Sequence, residues 1–114
     1  MRRFLFLLLL LAVPVHAADV KIGSPTAVSV AVTSTAVTTR ATRAILILQN
    51  ASDTAIWCNL SGGAAVVGEG IGLDQQPAAS RPGGAAFFDI AVPTGTINCI
   101  HGGSGTKTIL INEG

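Results

Sequence analysis

Nucleophilic catalysis needs a base beside its nucleophile, and past residue 17 the only imidazole in the chain is His101. Ser80 or Ser104 can be drawn with His101 and Asp89 as a triad, but neither serine sits in a nucleophile elbow or an oxyanion loop. His101 falls at the end of an apolar stretch beside a Gly-rich turn, and the expectation is an exposed strand-end histidine. Asp53, Glu69, Asp74 and Asp89 lie in separate loops or strand ends, so no carboxylate pair forms in which one partner raises the pKa of the other. Nor does any loop gather the closely spaced oxygens that Ca²⁺ requires. Gly68-Glu69-Gly70-Ile71-Gly72 lacks the spacing and following helix of a dinucleotide loop. In Gly102–Thr108, Lys107 follows Thr106 where a phosphate loop needs Gly. The expectation is no enzyme, no cofactor and no metal.

The mature chain carries two cysteines, Cys58 and Cys99. Joining them is the leading reading, because the chain opens with an export signal and exported proteins meet an oxidising environment. Two buried free thiols, or a reactive or metal-binding pair, are the alternatives. A bridge between strands, or between sheets, would close a loop of about 40 residues and stabilise the fold by roughly 3–4 kcal/mol. Trp57 is the only tryptophan. It alternates against Ile56 and Cys58, which suits packing on the far side of a sheet or a subunit contact. A stacking platform for a sugar is the other use of such a ring. Asn50-Ala51-Ser52 and Asn59-Leu60-Ser61 match the glycosylation sequon.

These residues need elements to hold them. Ala44–Leu48 is a short branched apolar run and Thr54–Leu60 alternates, with Asn50-Ala51-Ser52-Asp53 between them as turn chemistry. That pattern predicts a β-hairpin. Thr26–Thr33 alternates as a half-buried strand. Ser34–Thr42 suits an edge strand or extended connection with Arg40 and Arg43 outward. Ala64–Val67 is a brief strand candidate, Gly68–Gly72 is too Gly-rich for regular structure, and Leu73–Gly84 is a long surface loop. Ala85–Val92, Thr96–His101 and Thr106–Asn112 complete the strands. Helical spacing persists nowhere. The fold class is all-β, an antiparallel β-sandwich or jelly roll of about seven short strands.

The chain has 114 residues and a mean hydropathy of +0.60. Met1-Arg2-Arg3, an apolar core of ten residues from Phe4 to Val13, and Val15-His16-Ala17 describe a secretory signal peptide. The run is too short to span a bilayer. Residues 1–17 are therefore expected to be cleaved, leaving 18–114 as one domain, periplasmic or extracellular. Loss of Arg2 and Arg3 leaves five basic residues against six acidic ones, a net charge of −1. So neutral a surface suits neither nucleic acid nor stable membrane insertion.

The string LILQNASDTAIWCNL, followed by a Gly/Ala loop, GIGL, a Pro-Gly-Gly loop, a Phe-containing strand, VPTGTINCI and a terminal ILINEG, covers Arg43 to Gly114. It resembles small β-sandwich proteins from the structural gene modules of tailed phages and prophages, such as capsid-decoration or minor virion proteins. The resemblance implies a non-catalytic protein that binds a repeating protein surface and often forms homo-oligomers; it brings no catalytic residues. The signal peptide departs from that pattern, since virion proteins usually assemble in the cytoplasm. The competing expectation is an exported binding module that takes carbohydrate or a cell-surface ligand through Trp57 or the Leu73–Gly84 loop.

Overall fold

The structure, a computed structural model, describes residues 23–38, 40 and 42–114. The expected signal peptide at 1–17 lies outside the described residues. Among those described, eight strands and no helix are present: β1 (Thr26–Val30), β2 (Thr35–Ala36), β3 (Leu46–Asn50), β4 (Ile56–Asn59), β5 (Ile71–Leu73), β6 (Ala85–Phe88), β7 (Asn98–His101) and β8 (Lys107–Glu113). They form two four-stranded antiparallel sheets, ordered β1-β8-β3-β6 and β2-β7-β4-β5. β1 pairs with β8, β2 with β7, β3 with β6 and β4 with β5. First with last, second with second-last, and so inward: that nesting is a long hairpin rolled into two layers, the jelly-roll arrangement.

Alternation explains the layers. β3 buries Leu46, Leu48 and Asn50 and turns Ile47 and Gln49 outward, while β4 buries Ile56 and Cys58 and turns Trp57 and Asn59 outward. Val30, Leu46, Leu48, Ile56, Cys58, Ile97, Cys99 and Ile109 have no exposed surface and fill the space between the sheets. Burying a Leu or Ile side chain contributes about 1.5–3 kcal/mol, so this layer is the main source of stability.

The expected hairpin at 43–60 is not one. β3 belongs to the first sheet and β4 to the second, so the segment between them is an arch that crosses the core. Turn residues and alternating flanks are common to both arrangements. What favours the arch is that β3 and β4 each have other partners: β8 and β6 for β3, β7 and β5 for β4. Two further expectations change. The Ala64–Val67 stretch is not a strand, whereas Ile71–Leu73 in the Gly-rich stretch is. Gly72 sits opposite Trp57 in the β4–β5 register, and a Cβ there would stand 2.6 Å from Trp57 Cζ3. The indole occupies the room that a side chain would need, so glycine is what allows β5 to pair.

Candidate functional site

Each residue singled out from the sequence has a place in this frame. Cys58 and Cys99 are joined, and they are direct register partners in β4 and β7. The bridge therefore links neighbouring strands of one sheet, not the two sheets. It is compatible with an oxidising, exported location.

His101 is not exposed: it is 1% accessible and ends β7 facing the core. The Gly103 N–H donates to its Nδ1 at 3.1 Å, which fixes the ring proton on Nε2, and Nε2 donates to the Gly105 carbonyl at 2.9 Å. The imidazole thus holds the Gly102–Gly105 turn in shape. Both ring nitrogens are occupied by backbone, so His101 does not stand as a free base toward Ser80 or Ser104, and the drawn triad is not assembled. Asp89 is exposed.

Arg43, expected outward, is buried. Its Nε donates to the Pro93 carbonyl at 2.6 Å, Nη1 to the Arg40 carbonyl at 3.0 Å, and Nη2 to the Gly95 carbonyl. Nη1 also pairs with Glu113 Oε2 at 3.3 Å, and the Arg43 side chain has no exposed surface. A buried guanidinium needs this full set of acceptors, because an unpaired charge in the core is strongly destabilising. Lys107, at the other end of β8, pairs with Asp53 at 2.7 Å. The hydrogen bond from Lys107, then one from the Thr54 hydroxyl, and then the Lys107 charge hold the Asp53 carboxyl below its ordinary pKa.

The two sequons turn out to be the same structural device. Asn50 Oδ1 accepts from the Ser52 N–H at 2.9 Å and the Ser52 hydroxyl at 2.7 Å. Asn59 Oδ1 accepts from the Ser61 N–H at 2.8 Å and the Ser61 hydroxyl at 2.6 Å. Each is an Asx turn that ends a strand. Asn50 is fully buried, and its Nδ2 donates to the carbonyls of Thr54 and Leu73 at 2.8 and 3.0 Å. That amide is closed to a glycosylating enzyme in the folded protein. Asn59 and Asn98 point outward from the second sheet and grip the following loop, through the Ala64 carbonyl at 3.0 Å and the Gly63 carbonyl at 2.8 Å. The Ser61–Gly70 loop is thereby folded back along that sheet.

Trp57 is half-buried, lying over Gly72 with Ile100 as its neighbour in β7. Within the Leu73–Gly84 loop, Leu73 is buried, while Asp74 and the stretch from Pro77 to Pro82 are exposed. Among the described residues, no three His, Cys, Asp or Glu side chains are grouped to hold a metal ion.

Sequence reasoning missed the outer face of the first sheet. Ala27 and Ser29 of β1, Thr108, Leu110 and Asn112 of β8, Ile47 and Gln49 of β3, and Ala85 and Phe87 of β6 all face away from the core. None is charged. Phe87 is 56% exposed and Ile90, just beyond β6, is 83% exposed. Next to it, Ala91 holds a left-handed φ of 53°, a conformation a non-glycine residue adopts at a cost. The signal was present in the sequence as an uncharged Ala-Ala-Phe-Phe strand, but which of its side chains face outward follows only from the register with β3. No family model, no curated protein and no solved structure matches the chain.

Proposed function

We propose that the chain is an exported, non-catalytic structural protein that packs into a larger assembly, in the manner of the small β-sandwich proteins of phage virions. The observation that carries this reading is that the strands of the β1-β8-β3-β6 sheet turn no charged side chain outward, while Phe87 and Ile90 are exposed at its border on either side of Asp89. Apolar side chains gathered on an uncharged face mark a surface that is covered in the working state. The groups with chemical potential support the same reading, since His101, Arg43 and Asn50 are each engaged in holding loops. Jelly rolls serve both as capsid subunits and as lectins, so the fold alone does not choose between them.

Chemical cross-linking of the exported protein in its native fraction tests the proposal. Bands at multiples of the protomer, or joint bands with one abundant partner, are expected; a single protomer band at every cross-linker dose contradicts it. The second reading, a carbohydrate-binding module, rests on the part of the Trp57 ring that remains accessible beside Ile100. A glycan array comparing the natural chain with Trp57→Ala separates the two readings, because the structural reading expects no glycan signal from either.

A further inference from the structure

β6 is an outer strand of its sheet, and the direction of its free backbone groups follows from two bonds. The Asn50 N–H donates to the Gly84 carbonyl at 2.9 Å, and the Ala51 N–H donates to the Thr108 carbonyl at 3.0 Å. Even-numbered residues of β3 therefore address β6 and odd-numbered ones address β8, as an antiparallel ladder requires. With Leu46 opposite Phe88 and Leu48 opposite Ala86, Ala86 and Phe88 bond inward to β3. The N–H and C=O groups of Ala85 and Phe87 point to the open edge.

Proteins commonly guard such an edge with Lys, Pro, a bulge or extreme shortness. Among the described residues three other strands are edges: β2 has two residues, β5 has three with a central Gly, and β1 follows directly on Pro25 and shows only Thr, Ala and Ser as exposed side chains. β6 carries no Lys, Pro or Gly of its own, and the exposed Asp89 lies just past its end. It is an uncharged four-residue strand, Ala85-Ala86-Phe87-Phe88, with a phenyl ring exposed on its outer face.

We propose that two copies of this chain join through β6, antiparallel about a two-fold axis at Ala86, to make one continuous sheet across both copies. Residues directly opposite in an antiparallel pair share a face, so only registers that match outward with outward residues are allowed. Centring on Ala86 places Ala85 opposite Phe87 of the second copy, and the reverse. Each such pair exchanges both N–H···O bonds. On the outer face, each Phe87 ring then lies beside the small Ala85 methyl of the other copy, big against small, and the border at Ile90 is brought toward the contact. A second copy is the fitting occupant because the edge is self-complementary: the two-fold sets Ala85 against Phe87 and Phe87 against Ala85, and the strand itself brings no like charges together. Asp89, exposed just past the end of β6, falls in this register opposite Gly83 of the second copy, away from its own counterpart. One short strand and its flanking apolar groups fall below the roughly 800 Å² per partner of a stable interface. The dimer is therefore concentration-dependent, and a building contact for an assembly more than a permanent pair.

This rests on the assembly reading above, and sedimentation velocity from about 1 µM to about 1 mM separates the two. The natural chain should move from one to two protomers across that range. Phe87→Lys should weaken the dimer at least tenfold while keeping the natural circular dichroism spectrum, and Val66→Lys, on the loop over the other sheet, should leave it intact. If Phe87→Lys fails to fold, Ala85→Lys places the same charge on the same edge from an exposed alanine. Equal dimerisation in the natural chain and the edge variants would overturn the β6 contact and leave assembly standing. A natural chain that stays at one protomer throughout would overturn the β6 dimer, and joint bands with a partner in the cross-linked native fraction would then keep the assembly reading.

Discussion

Cys58 and Cys99 face each other across β4 and β7, with 4.1 Å between their Cα atoms and a separation of 41 in the chain. They close a loop that contains β5, β6 and the long Leu73–Gly84 loop, the least regular part of the sandwich. Non-reducing mass spectrometry of the native protein should show a chain lacking two thiol hydrogens. Replacing both cysteines with alanine should lower the unfolding free energy in urea by about 3–4 kcal/mol. Two free thiols in the native protein would contradict this.

Asn50 and Asn59 make the same Asx turn in different surroundings, so substituting each separates burial from local geometry. Asn50→Ala takes partners from the Ser52 N–H and the Leu73 carbonyl inside the core, where each unsatisfied group costs about 1–3 kcal/mol, while the Ser52 hydroxyl still donates to the Thr54 carbonyl at 2.9 Å. Asn59→Ala exposes its freed groups to water and should cost less than about 1 kcal/mol. Urea unfolding of the two variants should rank them in that order; equal losses would mean that the arch between the sheets does not depend on the buried amide.

Arg43 ties the Pro93–Gly95 connection to Glu113 at the end of β8. A lysine carries the charge but cannot reach carbonyls in three directions. Arg43→Lys should therefore destabilise by about 2–4 kcal/mol, close to the loss from removing the pair outright. A double-mutant cycle with Glu113→Gln should show coupling between the two positions, and additive losses would contradict the pairing.

The Asp53–Lys107 pair gives a pH signature at the opposite end of β8. Because the folded carboxyl titrates below its ordinary value, the pair's stabilising contribution is present above the unfolded pKa and is lost as pH falls through the folded one. Carbon-13 titration should place Asp53 below an unpaired aspartate, and Lys107→Met should return it toward the ordinary value. Asp53 is largely exposed, so salt should weaken the effect.

The strands at 26–30, 85–88, 98–101 and 107–113 were legible because alternation and turn residues mark them directly. The arch was not: Asn50 and Ser52 advertise a turn equally well whether the chain reverses within a sheet or crosses to the next. β5 was hidden because Gly72 looks like a breaker until Trp57 is seen above it. Arg43 and His101 were expected in solvent because charge and polarity usually lie there; the backbone carbonyls and N–H groups of loops and, for Arg43, the Glu113 carboxylate offset the cost of burying them, and none of these partners shows in a local pattern. The outward side of β6 belongs to the same class, since its direction is set by bonds from Asn50 and Ala51 in another part of the chain.

Whether the chain assembles with copies of itself is tested most directly by light scattering coupled to size exclusion on the native protein, with the disulfide intact, over rising load. A weight-average mass that climbs above one protomer with concentration is the predicted result. A mass fixed at one protomer up to the solubility limit would contradict it.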